Sequence, residues 1–138
     1  MYLIYTNVVS ELRRGSRTDP GVAAWARGVD PADLFLSSIT ILEIELGILL
    51  MERRDSAQGA VLRTWMEHRV LPTFESRILP IDTAVAQRCA SLHVPDPRAE
   101  RDALIAATAL VHRLKVVTRN TADFQKTGVD LVNPWASA

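Results

Sequence analysis

The segment Arg101 to Phe124, RDALIAATALVHRLKVVTRNTADF, limits the possible folds more than any other part of the chain. Between Ala103 and Val111 it is apolar except for one threonine, so a helix there is buried on nearly every side. One acid, Asp102, leads into that helix. A short β-rich run, Lys115 to Thr118, follows it, and the polar cluster Arg119-Asn120-Thr121-Ala122-Asp123 closes the segment. Two polar clusters therefore bracket one buried helix-strand element.

The rest of the chain supplies the layers such an element needs. Tyr2 to Tyr5 reads as a buried strand that stops at Thr6-Asn7, with Asn7 capping a helix over Val8 to Arg14. Asp19 and Pro20 open a second helix, Gly21 to Arg27. Leu34 to Ser37 is a second buried strand, and a long helix runs from Ser38 to Arg53. Asp55 to Val70 is helical and ends before Pro72, and Arg77 to Ile81 is a third strand. Asp82 or Thr83 caps a helix to Leu92, Asp96-Pro97 starts the next, and Asp130 to Val132 adds a strand at the edge. The order βααβααβααβ, with short and continuously apolar strands, predicts an α/β fold. Its mainly parallel sheet of four or five strands carries helices on both faces.

Composition narrows the function classes. A chain of 138 residues suits one domain, 1–138, burying roughly 68% of the surface exposed when unfolded. Sixteen basic and sixteen acidic side chains balance, which excludes a general polyanion binder and confines any nucleic-acid contact to a local patch. Cys89 is the only cysteine, so no internal disulfide forms, and no Cys/His spacing pattern announces a structural zinc. No apolar run is long enough for a membrane helix, and the N-terminus has no signal-peptide pattern, so a cytoplasmic protein is expected.

Ligands of parallel α/β sheets gather beyond the carboxyl ends of the strands, here Tyr5-Thr6-Asn7, Ser37-Ser38, Asp82 and Arg119-Asn120. Each polar residue near that edge also has a local reading. Glu43 stands three residues after Thr40, the spacing of a capping box, and periodicity does not separate it from Glu45. Asp102 complements the dipole of its helix. Asn120 and Asp123 suit the cap of a short turn. His68, His93 and His112 are scattered and pair with no nucleophile, and neither a serine elbow nor a phosphate loop is present.

Five stretches taken together resemble a PIN-domain ribonuclease. They are Thr6 to Leu12, Ser38 to Glu43 with Gly47, Asp102 to Ala109, Thr118 to Phe124, and the ending from Thr127-Gly128 to Asn133-Pro134-Trp135. More narrowly they look like the VapC toxin of a bacterial type II toxin–antitoxin pair, in its FitB-like branch, over essentially the whole chain. The resemblance implies a Mg²⁺- or Mn²⁺-dependent endoribonuclease whose acids hold metal at the carboxyl edge of the sheet. It selects Glu43 over Glu45 and makes Asp102 a metal carboxylate. It also brings in Asn120 and Asp123, with Thr6 and Ser38 as hydroxyl partners. Two carboxylates about 4 Å apart repel by roughly 4 kcal/mol at an effective dielectric near 20, so such a cluster calls for a cation. The implied partners are an RNA substrate, a VapB-like antitoxin, DNA through that antitoxin alone, and a second copy of the chain; no membrane is involved. Leu12, Trp25, Leu46 and Leu49 are the apolar residues that would receive an antitoxin helix.

The first strand of these proteins normally ends in Asp, and this chain has Tyr5. A neutral phenol is a poor ligand for a hard cation and much larger than a carboxylate. Weak metal binding and poor RNA cleavage are therefore expected, leaving an alternative role as a non-catalytic antitoxin-binding partner in operator repression. One base change converts Asp to Tyr, and toxicity selects against an active nuclease, which favours an engineered or selected inactive variant.

Overall fold

In the computed structural model, which describes residues 1–137, five parallel strands lie in the order β3-β2-β1-β4-β5. They are β1 (Tyr2–Ile4), β2 (Leu34–Ser37), β3 (Ile78–Leu79), β4 (Lys115–Val117) and β5 (Leu131–Val132). The α/β architecture, a parallel sheet covered on both faces, agrees with the sequence reading. β1 is central: Leu3 is in register with Phe35 on one side and Val116 on the other. The strand order reverses at β1, and the carboxyl end beside such a reversal is where an open parallel sheet leaves a crevice.

Alternation along the strands builds two core layers. Ile4, Leu36 and Val117 pack with Val8, Val9, Ile44 and Ile48 on one face. Leu3 and Val116 pack with Ile105, Ala106, Ala109 and Phe124 on the other. Burial on both faces accounts for strands without polar alternation.

The helices are α1 (Thr6–Leu12), α2 (Pro20–Arg27), α3 (Ser38–Arg54), α4 (Ser56–Trp65), α5 (Leu71–Thr73), α6 (Thr83–Leu92) and α7 (Glu100–His112). Several boundaries differ from expectation: β3 keeps only Ile78–Leu79 of the expected Arg77 to Ile81, and α1 ends at Leu12, short of Arg14. α1 begins one residue before Asn7, with Tyr5 at the cap position and no side-chain cap bond. The helical path after α4 does not stop before Pro72 but widens into a π-type turn, Met66–Val70, and continues as α5. Pro72 falls directly after the π-type turn, where the regular i to i−4 ladder is already interrupted and a missing N–H is more easily accommodated. α7 starts at Glu100, not at Asp96-Pro97, and Ala99 at its cap offers no side-chain acceptor. The caps at Asp19 and Asp82 are as expected, each carboxylate accepting from backbone N–H groups of its helix.

α3 and α4 form a tight hairpin, and Gly59 permits their approach. A Cβ there would lie 2.7 Å from Glu52 Cα and 2.9 Å from Glu52 N, contacts only backbone movement can relieve. Gly59→Ala is expected to destabilise the fold by about 1–3 kcal/mol, read as a lower midpoint in urea unfolding.

Candidate active site

β1, β2 and β4 deliver their last residues to one edge, where α1, α3 and the start of α7 meet. Tyr5 leaves β1 with its amide bonded to Val117 O at 2.9 Å, which fixes the phenol between α7 and β4. Its hydroxyl donates to Asp102 Oδ1 at 2.5 Å. Its ring stands edge-on to Phe124, centroids 5.4 Å apart. Burial, the bond to Asp102 and the charges of Glu43, Asp102 and Asp123 all push the Tyr5 phenol well above its ordinary pKa. The hydroxyl therefore remains a neutral donor, in contact with Asp102 and within the field of Glu43 and Asp123.

Thr6 starts α1 and turns its hydroxyl to Glu43, donating to Oε1 at 2.6 Å. Arg101 Nη1 stands 3.8 Å from the other carboxylate oxygen. The capping-box reading of Glu43 does not hold: Ser37 caps α3 by accepting from Ile39 N at 3.0 Å, while Thr40 Oγ1 is buried without a partner. Glu43 and Glu45 lie on different sides of α3, and only Glu43 reaches the carboxyl edge of the sheet. Glu45 accepts from Arg63 at 2.7 Å on the α4 side of α3, and that bond holds its carboxyl below the usual range.

The remaining expected residues are placed less centrally. Asp102 sits in the first turn of α7, so its helix-dipole role coexists with its bond to Tyr5. Asp123 is exposed on a short 3-10 turn, Thr121–Phe124, and Asn120 precedes that turn with its side chain exposed. Ser38 makes no side-chain hydrogen bond among the described residues; its neighbour Ser37 does. Three contributors were not singled out from sequence. Thr118 is fully buried and its hydroxyl oxygen accepts from Asn7 Nδ2 at 3.3 Å and Asn120 N at 3.1 Å, joining α1 to the β4 loop. Arg101 faces Glu43, and Phe124 supports the phenol. A Thr-x-Asn reading, with the hydroxyl accepting from the N–H two residues on, is the signal that marks Thr118.

A groove of about 230 Å³ leads from Thr6 and Glu43 past Arg13 and Gly47 to Trp65. It adjoins a more apolar cleft lined by Leu12, Val9 and Phe74. The Arg13 guanidinium lies over the Trp65 ring, 5.7 Å from its centroid. Of the apolar residues expected to meet a partner, Leu12 lines this cleft. Trp25 instead packs edge-on against Tyr2 at 5.4 Å, and Leu46 and Leu49 are exposed on α3.

The PIN domain family profile matches residues 2–129. This chain belongs to the PIN-domain family. It is 33% identical over 143 residues to VapC ribonuclease Y4jK of Sinorhizobium fredii, covering all of both chains. It is 38% identical over 141 residues to toxin FitB of Neisseria gonorrhoeae, covering 98% of this chain and 99% of that one. The solved structure of FitAB bound to an IR36 DNA fragment superposes with a TM-score of 0.88 at 37% identity, covering 98% of this chain and 96% of that one. The suspected kinship with the VapC and FitB toxins thus holds, and so does the PIN-like fold.

Among the described residues the acidic edge holds no ready-made three-ligand cluster for a divalent cation. The Tyr5 hydroxyl occupies the position beside Asp102, and Glu43, Asp102 and Asp123 do not bring three ligand oxygens within 4.8 Å of one another. Tyr5→Phe would leave the Asp102 carboxylate without its donor in a partly buried place. A loss of about 1–3 kcal/mol is expected, measured by denaturant unfolding against Tyr2→Phe as a control.

Proposed function

We propose that this chain is the toxin half of a toxin–antitoxin pair, built on an endoribonuclease site that Tyr5 has blocked. The observation that carries the reading is the pair of adjoining contacts at the carboxyl edge of β1, the Tyr5 hydroxyl on Asp102 and the Thr6 hydroxyl on Glu43. An acid cluster of that kind suits Mg²⁺ or Mn²⁺ in the intact family, and RNA phosphodiesters are the substrate class that goes with it. Thr6 orients Glu43, Asp102 is the carboxylate the phenol now satisfies, and Asn120, Asp123 and Ser38 border the site. Tyr5 supplies a neutral donor where the family has a carboxylate, so the chain cleaves RNA weakly.

Tyr5→Asp tests both halves of this proposal. The revertant is expected to cleave cellular RNA in Mg²⁺ more than roughly 100-fold faster than the parent, because even residues behind a metal ligand are worth 10–100-fold. Glu43→Gln in that background returns the rate to the parent level. A folded revertant that is inert and harmless on expression overturns the nuclease reading, whereas equal activity in the two forms overturns only the blockage.

A second reading, compatible with the first, is that the chain acts as a holding partner for an antitoxin that represses its own operator. What favours it is the cleft of Leu12, Val9 and Phe74 that opens beside Glu43, together with the exposed Leu46 and Leu49 of α3. A small basic VapB-like partner fits there, contacting DNA itself, with the toxin present as a homodimer in the cytoplasm. Leu12→Asp is expected to lower co-purification of that partner by about 10-fold or more, the effect of losing roughly 1.4 kcal/mol of binding, with Tyr5→Asp leaving co-purification unchanged.

A further inference from the structure

Away from the acidic edge, three side chains of metal-binding type meet where α6 hands over to α7. Cys89 and His93 are four residues apart at the end of α6 and so share a face, and Glu100 is the first residue of α7. Cys89 Sγ lies 3.8 Å from His93 Nε2 and 3.7 Å from Glu100 Oε1, and His93 Nε2 lies 3.4 Å from Glu100 Oε2. In a tetrahedral zinc site, bond lengths of about 2.3 Å to sulfur and about 2.05 Å to nitrogen or oxygen put ligand atoms roughly 3.4 to 3.6 Å apart. The three contacts are each within about 0.3 Å of that spacing, Glu100 facing Cys89 with Oε1 and His93 with Oε2, and one ligand atom from each residue lies within 4.8 Å of the others.

We propose that Cys89, His93 and Glu100 form a three-ligand site for a transition-metal cation of the Zn²⁺ class, its fourth position open to solvent. A thiolate beside an imidazole selects this class over Mg²⁺ or Ca²⁺. Cys89 is buried, and burial together with Glu100 pushes its thiol pKa up, so the cation itself must draw off the proton; the His93 side chain is 22% exposed and that of Glu100 70% exposed, which leaves an approach from solvent. The site owes nothing to Tyr5, Glu43 or Asp102 and is independent of the nuclease reading. A cation there would tie the end of α6 to the first turn of α7, the turn that carries Asp102.

Proton placement gives the site a distinctive signature. The Arg98 N–H donates to His93 Nδ1 at 3.0 Å, so without metal the imidazole proton rests on Nε2, facing Glu100 and Cys89. On binding, Nε2 turns its lone pair to the cation and the ring proton moves to Nδ1, which ends the bond from Arg98. Cys89 releases its thiol proton to solvent, and Glu100 binds as the carboxylate. Losing the Arg98 bond costs about 5- to 150-fold in affinity, far less than thiolate and imidazole donors give a zinc site. The loop keeps its other anchors, because the Arg98 guanidinium donates to Leu92 O, Gln125 O and Lys126 O at 3.0, 3.0 and 3.1 Å.

Co²⁺ added to the full chain is the probe. A saturable thiolate-to-cobalt charge-transfer band at one equivalent is expected, displaced by Zn²⁺, and the diamagnetic Zn²⁺-loaded chain is expected to show a shifted Arg98 amide resonance. Cys89→Ser and His93→Gln should abolish the band, Glu100→Gln should weaken binding by about 10-fold or more, and Glu43→Gln should leave it intact. Absence of the band in excess Co²⁺ overturns the site, as does a band that survives unchanged in both His93→Gln and Glu100→Gln. Should Cys89→Ser fail to fold, those two variants decide the matter, since neither removes a fully buried side chain.

Discussion

The parallel pairing of β1 with β2 and β4 is the constraint on which the molecule depends. β1 has only three residues, yet it is hydrogen-bonded on both edges and buried on both faces. Its register leaves no freedom in where Tyr5 and Thr6 emerge, because a slip of one residue would exchange Leu3 and Ile4 between the two core layers. Thr118 strengthens the same arrangement from the next strand by holding Asn7 and the Asn120 amide together. The acids on α3 and α7 then need only be carried to that fixed edge by helices packed on opposite faces.

Tyr5 changes the electrostatic problem at this edge without removing it. Carboxylates gathered around a crevice are tolerated when something positive or hydrogen-bonding faces them. Here the phenol satisfies Asp102, the Thr6 hydroxyl satisfies Glu43, and Arg101 lends a distant positive charge. Neutral donors can stabilise the fold in this way, but they do not concentrate charge as a divalent cation does. In the proposed reading, the same contacts that stabilise the edge stand where a divalent cation would bind.

The Cys89-His93-Glu100 cluster answers to different chemistry. The acidic edge offers only hard oxygen donors, whereas the α6–α7 junction offers sulfur, nitrogen and one oxygen in a tight triangle. The proposed site therefore selects its cation by donor type, and the Arg98 amide, donating to His93 Nδ1, reports which ring nitrogen is free to accept. Because α7 begins at Glu100 and reaches Asp102 within its first turn, the two regions share one rigid element without sharing a ligand.

Much of the molecule was legible in the chain itself. Continuous apolar strands and the nearly all-apolar Ala103–Val111 stretch determined a parallel sheet with buried helices, because short-range burial patterns are written residue by residue. Five motifs in register determined the family and named Glu43, Asp102 and Tyr5. Helix boundaries were less legible, since Tyr5 at the start of α1 and Ala99 at the start of α7 lack capping side chains and packing sets those ends. Only the tertiary structure decided that Glu43 answers Thr6, 37 residues away, and not Thr40 three residues away. It alone placed the Tyr5 hydroxyl on Asp102, and it alone brought Cys89, His93 and Glu100 together. Side chains distant in sequence meet according to how helices dock on the sheet, and no local pattern of residues encodes that docking.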